Sequence, residues 1–346
     1  MDNAQPLISV VIPTYRRPEL LERCLRALLE QDIDPSRFEV IVADDAANEA
    51  TRCQVARMHA LARDQGFRLR YIPVTGAHGP AAARNVGWRA ARGQIIAFTD
   101  DDCVPTPGWL RAGLAAFGLP CDQLDTENTG EDGDAAQPID GISGRVIVPL
   151  CGAPTDYQRN EARLADASFV TANSFYRRNA LAAVGGFDER FRMAWREDSD
   201  LHFRLLEGGR RLAVSSDALV THPTRPAHWG VSIAQQRKSM YNALLYKQHP
   251  RYYRMYIQPS SPWRYYATVA ALGGVLVAAL SRRRLLASAA AAVWSALTLG
   301  FCLRRLRGTS HAPRHIAEMV VTSAVIPLLS VFWRLRGALK FRVWFL

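Results

Sequence analysis

Acid is nearly absent from one end of this chain. Residues 263–346 contain a single carboxylate, Glu318, against 12 lysines and arginines, a balance of +11. The whole chain has 43 lysines and arginines and 32 acids, so residues 1–262 hold 31 of each and sum to zero. A uniformly basic nucleic-acid binder is excluded, because the entire positive excess sits in one tail. Tight cysteine spacing is missing too. Cys24, Cys53, Cys103, Cys121, Cys151 and Cys302 form neither a CxxC pair nor a cluster, so no spacing supports a thiolate metal site, and buried, reduced thiols are expected. The first turn is no GxGxxG, and no GxxxxGK[ST] occurs, so hydride-transfer and P-loop chemistry lack support. No signal segment is visible, since residues 1–6 are polar and the apolar run Leu7–Pro13 is too short, and the expectation is a body in the cytosol.

What is present is an alternation. Leu7–Ile12, Phe38–Ala43, Phe67–Pro73 and Gln94–Thr99 are short apolar runs that predict buried strands. Between them Pro18–Gln31, Asn48–Gln65 and Pro80–Ala91 carry helical spacing, and Pro107–Phe117 follows as a fourth helix. The expectation is an α/β fold with a mostly parallel sheet covered by helices on both faces. Residues 119–140, with seven acids and no base, predict a solvated insertion. Strands are expected again at Ile139–Pro149, Ser168–Arg177, Arg211–Ser215 and Ala218–His222, with a helix over Ser199–Glu207 and a turn at Gly185–Asp188. The division read from this is a catalytic domain over 1–228, an aromatic and basic interfacial linker over 229–265, and a membrane-associated helical region over 266–346.

The tail holds three uncharged runs, Tyr266–Ser281, Leu285–Leu303 and Met319–Trp333, each closed by arginines. A protein interior cannot solvate such blocks, whereas a bilayer lets them reach the headgroups. Only the middle run reaches span length comfortably, so the expectation is one or two spans plus a re-entrant or in-plane segment. Trp263, Tyr265 and Tyr266 fit an aromatic belt.

Ligands of open parallel sheets bind beyond the carboxyl ends of the strands. Polar residues fall there: Pro13-Thr14-Tyr15 after the first strand, Asp44-Asp45 after the second, Asp100-Asp101-Asp102 after the fourth. Adjacent carboxylates repel unless a cation neutralises them, and carboxylates with phosphate oxygens are the ligand set of Mg2+ or Mn2+. A solvated turn or a helix cap is the competing reading. Alternation lets Asp100 and Asp102 share a side opposite Asp101. Thr14 and Asp45 are candidates for contacts to a base edge or for helix capping. Arg84 and Asn85 are available for phosphate or base. Glu197 and Asp198 open a helix, either as dipole partners or as a general base. Arg204, two turns in, is a candidate holder of a phosphate or an acid.

Taken together, ISVVIPTYRRPELLERCLRALLEQ, EVIVADDA, GPAAARN, IIAFTDDDCVP, TANSFYRR, GGFDERF and REDSDLHFRL resemble glycosyltransferase family 2 over about residues 7–222. The resemblance implies a GT-A fold, a nucleotide-sugar donor, Mg2+ or Mn2+, and inversion at the anomeric carbon. It implies a nucleoside pocket at Pro13, Thr14, Tyr15 and Asp45, and further nucleotide contacts at Arg84 and Asn85. Asp100 and Asp102 take the place of the DxD pair, flanking Asp101, and Asp198 that of the base, next to Glu197. His222 stands where related enzymes sometimes place a late metal or phosphate ligand; a surface histidine is the alternative. The QxxRW of processive synthases is lacking, as Gln235–Ser239 has no tryptophan. The expected activity is therefore a single transfer to a lipid-linked or membrane-proximal acceptor in cell-envelope glycan assembly, at the cytoplasmic face of the inner membrane. A processive synthase and a non-catalytic membrane scaffold are the alternatives. No nucleic-acid partner is expected.

Overall fold

The computed structural model describes residues 5–63, 66–119 and 138–345. The expected acidic insertion lies outside them apart from its edges. The chain divides into two units, Met1–Pro149 with Leu164–Pro223, and Leu150–Arg163 with Thr224–Leu346.

The first unit is built on strands β1 (Ile8–Thr14), β2 (Phe38–Asp44), β3 (Arg68–Pro73) and β4 (Ile95–Phe98), which run parallel in the order β3-β2-β1-β4. They are joined by α1 (Pro18–Leu29), α2 (Glu49–Ala62) and α3 (Pro80–Ala90). Strands β2 and β4 are buried at every position, as strands covered on both faces must be. Successive side chains of β1 serve different cores: Ile8, Val10 and Ile12 join one apolar cluster and Val11 the other.

Beyond β4 the sheet continues through β7 (Ser174–Arg177), β6 (Gly141–Ile147), β8 (Leu212–Thr221) and the short β5 (Val104–Pro105). Here β7 is antiparallel to both neighbours, β8 is parallel to β6, and β5 is antiparallel to β8. The sheet is therefore mixed, with the parallel half carrying the chain's first four strands. Helices α4 (Trp109–Ala116), α6 (Arg178–Ala183) and α7 (Glu197–Glu207) complete this unit.

Three expectations need correction. Of Ser168–Arg177 only the last four residues form a strand; Phe169 adopts a left-handed φ of 57°, which breaks extended backbone. The two short strands expected after Arg211 are one, β8, whose pairing shifts opposite Gly144 and Arg145. The thiols are not uniformly buried: Cys24, Cys103 and Cys302 are, Cys53 and Cys151 are exposed.

In the second unit α5 (Asp156–Ala162) is followed, after Thr224, by α8 (Val231–Gln235), α9 (Tyr241–Gln248), α10 (Pro250–Tyr252), α11 (Trp263–Leu280), α12 (Arg284–Leu306) and α13 (Pro313–Phe341). The last three are long and apolar enough to cross a membrane. At ~1.5 Å per residue they measure about 27, 34 and 43 Å, against a hydrocarbon core of ~30 Å. They exceed the uncharged runs because the flanking arginines are good helix formers and extend the helices at their ends. Helices α11 and α12 form a hairpin closed at Ser281–Arg283, with most of their surface unburied, whereas α13 buries more of itself. One face of α13 packs at Gly337 so closely on Met240 that a Cβ there would lie 2.4 Å from its carbonyl oxygen. A buried ion pair ties α5 to α12: Arg305 Nε and Nη2 donate to Asp156 Oδ2 at 3.1 and 2.8 Å, and Nη1 donates to Thr322 at 2.6 Å.

Candidate active site

The three aspartates leave β4 in a tight turn, closed by Cys103 N–H donating to the Asp100 carbonyl at 3.1 Å. Because β4 ends at Phe98, strand alternation does not orient them, and each meets a different partner. Asp101 turns inward, accepts from Thr14 Oγ1 at 2.8 Å and faces Arg17 at 3.3 Å. Burial, with Asp102 next door, pushes its carboxyl up to about 6. The Thr14 hydroxyl is therefore a brace for this turn and caps no helix.

Asp100 meets a different partner. Arg84, buried on α3, donates through Nη2 to Asp100 at 2.8 Å and through Nη1 to Glu197 at 2.9 Å. Its position depends on α3 lying directly on β1. A Cβ at Gly87 would come within 2.3 Å of Val11 Cγ1, so only glycine permits that approach. Glu197 begins α7 after Arg196, whose left-handed φ of 78° turns the chain into the helix. Burial pushes the Glu197 carboxyl up to about 7; Arg84 opposes the shift and Asp198 adds to it. Glu197 Oε2 has no hydrogen-bond partner among the described residues. Asp198 is half-buried, and its Oδ1 accepts from Ser199 N–H at 2.7 Å. Each acid keeps one oxygen without a partner among the described residues, but Glu197 is buried and paired with Arg84, whereas Asp198 is half-buried and open to a substrate.

Asp102 faces His222, with Oδ1 and Nε2 3.4 Å apart. Both are buried, so His222 is not the surface histidine of the alternative reading. One ligand atom each from Asp102, Cys103 and His222 lies within 4.8 Å of the others. His222 Nδ1 is buried without a partner among the described residues. The Asp102 carboxylate and the His222 imidazole, with its orphaned Nδ1, are donors that a divalent ion such as Mn2+ accepts, whereas burial and the neighbouring aspartates push the Cys103 thiol well above its ordinary range, and a protonated thiol is a poor ligand for that ion. Cys103 was not singled out by the sequence beyond being a buried thiol; its place directly after the aspartates was the available signal. Asp100, expected to ligate the metal as well, is drawn instead to Arg84.

The remaining candidates divide. Asp45 Oδ2 accepts from Gly79 N–H at 3.0 Å at the start of α3, and Oδ1 lies 2.9 Å from His78 Nδ1. It does not cap α2; Asn48 does, while Asp44 accepts from Ala46 and Asn48 N–H. Tyr15 is 52% exposed, with the Arg16 guanidinium 5.3 Å from its ring, and Pro13 is half-buried beside it. Asn85 is spent inside the protein: Nδ2 donates to Phe187 O and Glu189, and Oδ1 accepts from Phe187 N–H and Trp88 Nε1. Its amide has no capacity left for a nucleotide. Arg204 is likewise consumed by Asp200, Val184 O and Gly186 O, and holds the 184–186 turn where a phosphate was expected.

A model of the family described as "Glycosyl transferase family 2" matches residues 9–185, just over half the chain. The chain belongs to glycosyltransferase family 2. The related "Glycosyl transferase family group 2" matches residues 157–332. Among similar proteins is the glycosyltransferase AglE of Haloferax volcanii, 29% identical over 65% of this chain and 70% of its own. The validoxylamine A glucosyltransferase of Streptomyces hygroscopicus subsp. limoneus is 29% identical over 67% of this chain, which spans 52% of that protein. A solved mannosyltransferase from Pyrobaculum calidifontis, in complex with GDP-Man and Mn2+, superposes with a TM-score of 0.53 at 19% identity, covering 98% of this chain and 88% of that one. At this identity the likeness speaks for the fold, which is GT-A.

Proposed function

We propose that this family 2 member transfers one sugar, with inversion, from a nucleotide-sugar donor to a lipid-linked or membrane-proximal acceptor in cell-envelope glycan assembly. The observation that carries the reading is Arg84, which joins the aspartate turn after β4 to the acidic start of α7 in one hydrogen-bonded cluster. The donor and the base then act from adjoining groups. Asp102 and His222, beside the Cys103 thiol, would hold a divalent ion, which would supply charge stabilisation for a leaving diphosphate. Tyr15 offers an exposed ring for a base, and Asp45 fixes the loop that opens α3.

Asp198 is the base. Its available carboxylate oxygen takes the proton of the acceptor hydroxyl as that oxygen bonds to the anomeric carbon. The bond from that carbon to the diphosphate oxygen breaks, and its electron pair leaves with the nucleoside diphosphate. One displacement of this kind inverts the configuration. A body at the cytoplasmic face of the inner membrane and a membrane-bound acceptor are part of this reading; the apolar helices and their flanking arginines support attachment to a membrane. The division into a catalytic domain over 1–228, a linker and a membrane region belongs to the same reading.

The test is Asp198→Asn in the full chain, assayed in membranes with a panel of nucleotide sugars. Transfer should fall by about 10²–10⁴-fold, with donor binding retained. Unchanged turnover would remove Asp198 from the mechanism, and a ladder of products from the wild type would favour a processive synthase.

A further inference from the structure

We infer that the second unit holds a binding site for the headgroup of a phosphate-bearing membrane lipid, between the open end of the α11–α12 hairpin and α13. A cavity of about 270 Å³ lies there, lined by Arg264 and Tyr265 of α11, by Gly300, Phe301 and Arg304 of α12, and by Pro327 of α13. The two arginines come from the first turn of α11 and the last turn of α12, which a hairpin brings to one end. Both are exposed, and neither has an acidic partner among the described residues. The neighbouring Arg305 differs in this respect, because Asp156 neutralises it at 2.8 Å. Glu318, the sole acid after residue 263, accepts from Gly230 N–H at 2.8 Å and does not line the cavity.

Two guanidinium groups share one cavity with no acid beside them among the described residues; being exposed they are solvated in the free protein, and both are open to an anion that bridges them. The planar fork of arginine matches phosphate oxygens. The wall behind it is hydrocarbon and ring: Phe301 meets Tyr265 edge-on at 5.4 Å, and Gly300 leaves the helix surface low. An anion alone would leave this wall uncovered. An anion carrying a hydrocarbon chain covers both parts, as a lipid phosphate at a membrane surface does. The inference does not depend on the transferase reading, since it concerns binding without a donor.

Native mass spectrometry of the full chain in neutral detergent tests it, with phosphatidylglycerol, farnesyl phosphate, diacylglycerol and inorganic phosphate as probes. A bound phosphatidylglycerol or farnesyl phosphate is expected, weakened roughly tenfold or more in Arg264→Ala/Arg304→Ala. Gly300→Leu, which fills the wall, should weaken it as well, whereas Arg282→Ala at the closed end of the hairpin and Asp198→Asn should leave it unchanged. Equal binding of diacylglycerol, full competition by millimolar inorganic phosphate, or wild-type lipid binding by the double variant would each overturn the proposal. Thermal melting of each variant separates loss of the site from loss of the fold.

Discussion

Asp100 and Glu197 are held by the two terminal nitrogens of one buried arginine. Arg84 lies 2.8 Å from the first and 2.9 Å from the second, and has almost no contact with solvent. A guanidinium in this position has two effects. It neutralises carboxylates that would otherwise repel each other, and it fixes the start of α7 against the turn after β4.

Replacing Arg84 should therefore do more than remove a charge. Arg84→Met leaves Glu197 buried without a cation, and breaking a buried pair in this way costs about 3–5 kcal/mol. The melting temperature of the single variant should drop clearly. Arg84→Met with Glu197→Gln should recover part of it, because the buried carboxylate is gone and only the partly exposed Asp100 lacks its cation, while sugar transfer stays low in both. A single variant that melts like wild type would mean that Glu197 takes up a proton or is solvated once Arg84 is gone.

Metal affinity should track Asp102 and His222 ahead of Asp100. Asp102→Asn and His222→Ala are each expected to weaken Mn2+ binding by about tenfold or more, read by electron paramagnetic resonance of free Mn2+. Asp100→Asn should weaken it less, since that carboxylate already answers Arg84. Wild-type affinity in His222→Ala would take the histidine out of the site.

His202, one turn along α7 from Asp198, provides a pH signature in stability. Its ring stacks on Phe169 at 4.4 Å, and burial lowers its pKa from 6.5 to about 4. Between those values the unfolded chain binds the proton and the folded chain does not. Stability should thus be complete above pH 6.5 and decline as pH falls towards 4, by at most ~3 kcal/mol for this group. His202→Phe should flatten that part of the stability–pH curve. An unaltered slope in the variant would assign the acid sensitivity to other groups.

The elements that could be read from sequence were those set by local pattern. Ile8–Thr14, Phe38–Asp44 and Ile95–Phe98 announce themselves because strands buried on both faces have no polar alternation to hide in. The aspartate turn was legible for the same reason, since its place follows from β4. What escaped were partnerships across long stretches of chain. Nothing near Asn85 or Arg204 indicates that the 184–189 turn absorbs both of them. Cys103 reads as one more buried thiol until β8 brings His222 beside it. The interruption at Phe169 left no sign, because its neighbours Val170, Ala172 and Phe175 are as apolar as a strand requires.

The excursion at 150–163 governs how this chain can be divided. Its flanks, β6 and β7, are adjacent strands of one sheet, yet the excursion itself belongs with the helices that follow Thr224. A protein shortened after Pro223 would keep Asp156 and lose Arg305, stranding half of a buried ion pair on an arm with nothing left to fold against. A single cut between the two units therefore leaves one of them without part of its chain.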